Sequence, residues 1–276
     1  METCKSFIEE HLKTRQIVPS KSPQASPFFF IPKKDGTLRP CQDYQYLNSH
    51  TVRNAYPLPL IPELIDNMKE STLFTKFNIH WGYNNIHIRE EDQWKAAFIT
   101  PMELFEPTVM FFGFCNAPPT FQAFMNHIFA DMLRKKWLKI YMDNLGIHTK
   151  NDLDLHHEQT RCVLQRLQEH RLSIKLSKCV FAPCMEFLGM IIRQGEVRMD
   201  EKKLDAIKEW KPSTSVKGIQ SFTGFVNFYR KFISDFSNIV APLNLLTRKG
   251  EPWVWTQLQQ CAFEHLKHIF SSTPVL

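Results

Sequence analysis

The sequence predicts an α+β protein in two domains, residues 1–199 mixing strands with helices and residues 200–276 helical. Three observations carry that expectation. Apolar segments of strand length come in pairs around the turn signals Asp35-Gly36, Asp143-Asn144 and Gln194-Gly195, the pattern of hairpins. Phe121, Met125, Ile128 and Met132 recur at helical spacing and share one face of a helix. Beyond Asp200 the strand pattern stops, and Ile219, Phe222, Val226, Tyr229 and Ile233 keep helical spacing.

Taken in order, the first segment reads as a helix to about Ser22, bounded by Pro19 and Pro23. Ser26 to Ile31 is a strand. It turns through Lys33-Lys34-Asp35-Gly36-Thr37 and returns in Leu38-Arg39-Pro40-Cys41, a hairpin with a cationic tip. Pro57 to Pro62 lead into a short helix, Glu63 to Met68, and Phe74 to Ile79 is a strand. Pro118-Pro119 opens the helix of Phe121, since proline suits a first helical turn. Ile140 to His148 is a second hairpin, and a helix carrying Thr160, Val163, Leu164 and Leu167 follows. Glu186 to Ile192 is a strand turned at Gln194-Gly195 into Val197 to Met199, a third hairpin. Asp200 caps a helix reaching Trp210, Ser213 to Ser215 cap the next, and Glu251 to Leu276 hold one more.

Composition narrows the function classes. Of 276 residues 43% are hydrophobic, enough for a buried core and too many for a disordered chain. The densest apolar run, Phe28 to Ile31, is far short of the roughly 18 residues a membrane span needs, and Met1 to Glu10 has no signal-peptide core. A membrane partner is therefore not expected. The net charge of +6 permits a polyanion partner. Seven scattered cysteines with no CxxC pair point to free thiols and an intracellular compartment, cytoplasmic or nuclear. Cys179 and Cys184 read as core thiols.

Two motifs have both a plain and a chemical reading. The hairpin tip with Lys33, Lys34 and Arg39 is either a solvated edge or a clamp for a triphosphate. The Tyr141-Met142-Asp143-Asn144 turn is either ordinary turn chemistry or oxygen ligands for Mg²⁺. His148, His156 and His157 beside Asp152, Asp154 and Glu158 read as a helix surface, because no cysteine stands at zinc spacing.

The order of the motifs resembles the reverse transcriptase of gypsy-type long-terminal-repeat retrotransposons. Lys33 to Arg39, Asp43-Tyr44, Leu47-Asn48 and Tyr56-Pro57-Leu58-Pro59 match in turn. Gly82-Tyr83, Ile88 to Asp92, Phe112-Gly113, Asn116-Ala117-Pro118 and Thr120-Phe121-Gln122 follow, then Lys178-Cys179, Glu186 to Gly189 and Ser221-Phe222 to Tyr229-Arg230. The resemblance implies a right-hand polymerase fold, with fingers and palm in residues 1–199 and a thumb leading into a connection in residues 200–276. It implies that Lys33 and Arg39 contact an incoming deoxynucleoside triphosphate, with Phe112 and Gly113 shaping its pocket. Tyr83 would be the steric gate against a ribose 2′-hydroxyl. Asn116 and Pro118 would meet the template, Phe187-Leu188-Gly189 would grip the primer, and Lys178 would protonate the leaving pyrophosphate. The implied partners are an RNA or DNA template-primer and the ribonuclease H and integrase regions of a polyprotein. Ribonuclease H activity is expected to be absent from this sequence.

The departures fall on the metal ligands. The family's first aspartate, in its Leu-Asp-Leu strand, is Asn78, and its Tyr-x-Asp-Asp turn ends in Asn144. Only Asp143 of three expected carboxylates stands. Phe111 replaces a usual proline, Pro101 to Leu104 an Arg-Tyr-Gly-His-like stretch, and Arg171 a glycine that ends a helix. Mg²⁺, or Mn²⁺ in its place, is the implied cofactor, and its binding is in doubt at such a site. The expected function is an RNA-directed DNA polymerase by descent, inactive or strongly impaired. A working enzyme and a non-catalytic nucleic-acid-binding or structural subunit are the alternatives.

Overall fold

The computed structural model describes residues 2–32, 36 and 38–272, without the side chains of residues 271 and 272. Lys33, Lys34, Asp35 and Thr37 at the hairpin tip lie outside the described residues. Along the chain run α1 (Glu2–Lys13), β1 (Ile17–Pro19), β2 (Ser26–Pro32), β3 (Leu38–Gln42), α2 (Gln45–Ser49), α3 (Ile61–Asp66), β4 (Leu73–Asn78) and α4 (Glu90–Gln93). Next are β5 (Phe98–Ile99), β6 (Leu104–Pro107), α5 (Ala117–Ile128), α6 (Ala130–Arg134), β7 (Leu138–Tyr141), β8 (Asn144–Thr149) and α7 (Leu153–Glu169). They are followed by β9 (Val180–Ala182), β10 (Cys184–Phe187), β11 (Met190–Arg193), β12 (Glu196–Met199), α8 (Glu201–Lys208), α9 (Val216–Phe228), α10 (Phe236–Leu245) and α11 (Gln257–Ser272). The architecture is α+β.

Two compact units form. The first takes in Met1–Pro59, Thr75–Ile147 and Leu153–Val180, and the second Leu60–Phe74, His148–Asp152 and Phe181–Leu276. In the first, a five-stranded sheet has the order β1-β6-β5-β2-β3. Its β2–β3 hairpin pairs Ile31 with Arg39 and Pro32 with Leu38, which sets Arg39 at the base of the cationic tip. A second sheet, ordered β7-β8-β4-β9, carries the polar turn. Phe77, Phe121, Met125, Leu138, Ile140, Leu145, Ile147 and Val163 form the core beside it, each buried side chain worth about 1.5–3 kcal/mol. In the second unit, Met185, Phe187, Met190, Ile192 and Val197 pack with Ile219, Phe222, Val226 and Phe263 in one cluster. Asp200 caps α8 by accepting from the Lys202 N–H, and Ser215 caps α9 through Gly218.

Several expectations are corrected. The first helix stops at Lys13, not Ser22. Arg15 turns left-handed (φ 56°), and the Gln16 N–H reaches back to the His11 carbonyl, closing the helix end. Ile17–Pro19 is then a strand, registered with Ile17 opposite Pro107. Glu186 to Ile192 is not one strand, because Leu188 (φ 54°) and Gly189 (φ 82°) fold it into a β10–β11 hairpin. His148 and His156 are buried rather than surface residues, bonded to Ser71 and Thr75 at 2.9 Å each. Cys184 is exposed, not a core thiol.

Helix α7 ends as α1 does. Arg171 takes φ 54° and the Leu172 N–H bonds the Leu167 carbonyl at 2.8 Å. A side chain in that conformation costs about 1–2 kcal/mol, of which glycine's extra chain entropy returns part. Arg171→Gly is therefore expected to raise stability by about 0.5–1 kcal/mol. A urea midpoint that does not rise would show that the arginine makes a compensating contact.

Candidate active site

The β7–β8 hairpin pairs Tyr141 with Asn144 across the two-residue turn Met142-Asp143, with Met142 left-handed at φ 52°. The end of β4 is tied to this turn by the Ile79 N–H, which donates to the Asp143 carbonyl at 2.8 Å. Three side chains converge as a result. Asn78, only 6% exposed, donates through Nδ2 to Asp143 Oδ2 at 2.9 Å and to Asn144 Oδ1 at 3.4 Å. Asn144 Nδ2 donates to Asp143 Oδ1 at 2.9 Å. An ionised carboxylate only accepts, so the amide nitrogens must be the atoms that face it. Both oxygens of Asp143 are thus engaged in a closed triad.

Helix α5 holds the turn from below. Gln122, wholly buried, accepts the Met142 N–H through Oε1 at 2.7 Å and donates to the Ile140 carbonyl at 3.3 Å and to Asn126 Oδ1 at 2.9 Å. Phe121 beside it comes within 3.1 Å of where a Cβ on Gly82 would stand, so any side chain there would need the Phe121 ring to give by a few tenths of an ångström.

These residues do not fit a two-ion Mg²⁺ centre. Such ions take hard oxygen ligands and carboxylates that bridge. Here one carboxylate stands among amide N–H donors, and each amide would have to turn and abandon Asp143 to offer an oxygen. Among the described residues no group of three His, Cys, Asp or Glu side chains gathers to hold a metal ion.

Around the triad lies a cavity of about 460 Å³ lined by Arg39, Phe112, Asn78, Trp81, Asp143, Lys175 and Lys178 among others. Tyr83 sits in the 3-10 turn Gly82–Asn85, its ring edge-on to Phe112 and Phe121 and its hydroxyl 3.6 Å from Met142 Sδ. Burial, aided by the negative charge of Asp143 nearby, pushes the Tyr83 phenol above its usual range. The Arg39 guanidinium lies over the Phe112 ring, 5.8 Å from its centre. Gly113 has φ 108°, and its carbonyl accepts from Asn48 Nδ2 at 2.7 Å. Asn116 spends its side chain on the Asn54 N–H and the Val52 carbonyl rather than on capping α5, where Pro118 occupies the first turn. In the second unit Phe187 is wholly buried, while Leu188 and Gly189 are half-buried. Lys33 lies outside the described residues.

Two contributors receive no role from the sequence, although Gln122 lies in the matching Thr120-Phe121-Gln122 block. Gln122 reads as one more polar residue on a helix, and its bonds to a turn 20 residues away are tertiary. Lys175 is placed by its own backbone, whose N–H donates to the Asn78 carbonyl at 2.8 Å. The turn Leu176–Lys178 then sets Lys178 beside it.

Residues 31–192 match the family reverse transcriptase (RNA-dependent DNA polymerase). The chain belongs to that family. It is 37% identical over its whole length to the Transposon Tf2-7 and Tf2-8 polyproteins of Schizosaccharomyces pombe (strain 972 / ATCC 24843), and spans about a fifth (21%) of each. Its fold matches that of the foamy viral protease-reverse transcriptase. The structure in complex with double-stranded DNA superposes with a TM-score of 0.87 at 23% identity, over 97% of this chain and 47% of that one. The complex with an RNA/DNA hybrid gives 0.85 at 22% identity, over 98% and 37%. The chain therefore has the α+β polymerase fold. No helix among the described residues is long and apolar enough to cross a membrane.

Proposed function

We propose that this chain is a reverse transcriptase module that binds template-primer but has lost efficient nucleotidyl transfer. The carrying observation is the closed Asn78–Asp143–Asn144 triad, in which the family's carboxylate positions are two amides donating to one acid. Three carboxylates would bring a charge of −3 against the +4 of two Mg²⁺ ions, and one brings −1. What remains of the machinery serves binding. Arg39, Phe112 and Gly113 line the nucleotide side with Tyr83 as the steric gate, and Lys178 keeps a proton donor near the leaving group. Asn116 and Pro118 stiffen the template side, while the Leu188-Gly189 turn, anchored by Phe187, meets the primer. In this reading residues 1–199 act as fingers and palm, and residues 200–276 as thumb and connection. By the resemblance, Lys33 would contact the triphosphate as well. The partners are an RNA or DNA template-primer inside the cell and the remaining regions of a polyprotein, by analogy with the transposon relatives.

Primer extension in Mg²⁺ and in Mn²⁺, run beside template-primer binding, tests the proposal. No extension above background is expected, with binding that survives EDTA. The log–log salt slope of binding should steepen by about −0.9 for each phosphate neutralised on duplex DNA. Extension at a rate typical of polymerases, or a flat salt slope, would each overturn it.

A further inference from the structure

The cavity beside the triad has an unusual charge balance. Arg39, Lys175 and Lys178 line it, and among the described residues none of the three enters an ion pair. The acids lining it are Asp143 and Glu10, so these five groups sum to 3 − 2 = +1. His80 also lines the wall, and burial, with Lys175 nearby, lowers its pKa and favours the neutral ring. Its aromatic walls are Phe7, Phe30, Trp81, Phe111 and Phe112. Trp81 is held left-handed at φ 53° and stacks on buried His11 with ring centres 5.1 Å apart. A volume of about 460 Å³ is within the usual range for a small-ligand site, roughly 300–1,000 Å³.

We propose that this cavity is a metal-independent polyphosphate site, in which Arg39, Lys175 and Lys178 hold the free triphosphate of a nucleotide and Mg²⁺ weakens rather than strengthens its capture. The proposal rests on the reading that Asn78 and Asn144 cannot support a two-ion centre. A site with three carboxylates repels a bare triphosphate and needs the ions to reverse that sign. With two of those charges gone, three unpaired cations can do so unaided. Lys175 is the new member of the set. Its backbone bond to Asn78 and the turn to Lys178 bring two ammonium groups to the same wall. Chelation by Mg²⁺ removes two negative charges from the triphosphate. At the triad the ion then meets no open carboxylate, because both oxygens of Asp143 already accept amide N–H groups, and Glu10 is the one other acid lining the cavity. Binding and Mg²⁺ therefore oppose each other.

The test is titration of the whole chain with dATP, in EDTA and then in excess Mg²⁺, by calorimetry or tryptophan fluorescence. The nucleoside and inorganic tripolyphosphate serve as probes for the base and the phosphate chain. Binding is expected in EDTA and should weaken several-fold in Mg²⁺. Tripolyphosphate should compete and the nucleoside should not. Lys175→Ala and Arg39→Ala should each weaken binding about tenfold, the usual scale for one lost charge-assisted contact. The Asn78→Asp/Asn144→Asp double variant should reverse the sign of the Mg²⁺ effect. Binding that requires Mg²⁺, or that ignores Lys175→Ala, overturns the proposal. Template-primer binding is measured on the same preparations. If it persists while dATP fails, only this inference falls; if both fail, the binding-module reading falls as well.

Discussion

Placing acids at Asn78 and Asn144 together is expected to raise Mg²⁺-dependent primer extension by about a thousandfold or more over the native chain, while either change alone gives far less. The expectation follows from the ligand count. One added carboxylate beside Asp143 can hold a first ion, yet the second remains without bridging oxygens. Groups that act as one unit give strongly non-additive effects. The surrounding scaffold favours rescue: Tyr83 still packs on Phe112 and Phe121, and Gln122 still fixes the turn. Phe111, where the resemblance implies a proline, is buried against Phe7 and His11.

The same double variant should show a stability signature that does not depend on turnover. Asn78 and Asn144 each lie 2.9 Å from an Asp143 oxygen, so two acids there replace favourable donors with like charges. In EDTA its melting temperature is expected to fall below that of the native chain, and Mg²⁺ should raise it in proportion to how tightly the ions bind. The pH dependence has a definite sign. Crowded carboxylates have folded pKa values above the unfolded value of about 3.9, so their proton-bound form is favoured in the fold. The variant should then be most like the native chain at low pH and lose stability as pH rises toward neutrality. If the double variant folds, binds duplex, responds to Mg²⁺ in melting and still adds no nucleotide, damage beyond the triad is responsible.

Much of this fold is readable because its signals are local. The hairpin turns at Asp143 and Gly195, the apolar face of α5 and the caps Asp200 and Ser215 each depend on a few neighbouring residues. What escapes is set by contacts distant in sequence. Strand β1 is three residues long, ends in proline, and exists because β6 supplies its partner. The Leu188-Gly189 turn interrupts an apolar run that reads as one strand, since nothing in leucine announces a left-handed conformation. At the site, neither spacing nor periodicity brings Asn78 to Asp143 across 65 residues. Their expected convergence came from the resemblance to reverse transcriptases. Lys175 matches no motif and is positioned by a backbone hydrogen bond.

Gln122→Leu is expected to cost about 2–4 kcal/mol, a large share of the 5–15 kcal/mol that holds a typical domain together. Leucine fills a similar volume, so the loss is one of hydrogen bonding. The Met142 N–H is left without its acceptor, and Ile140 and Asn126 lose a donor, the Ile140 carbonyl in the buried core. Met142 is left-handed at φ 52°, a conformation its own side chain disfavours, and the bond from Gln122 helps hold it. Gln122→Glu separates the two halves of the role. It keeps an acceptor for Met142, loses both donors and places a charge at a position with no exposure. Burial would raise that folded pKa above the unfolded value of about 4.3. The Glu variant should therefore be the less stable of the two at neutral pH and recover as pH falls toward 4, where a protonated acid again donates. Introduced into the Asn78→Asp/Asn144→Asp background, Gln122→Leu should also abolish any recovered synthesis at temperatures where the chain stays folded, because Asp143 loses its fixed position. An unfolding free energy from urea titration within about 0.5 kcal/mol of the native chain would mean that the β7–β8 ladder holds the turn without the helix.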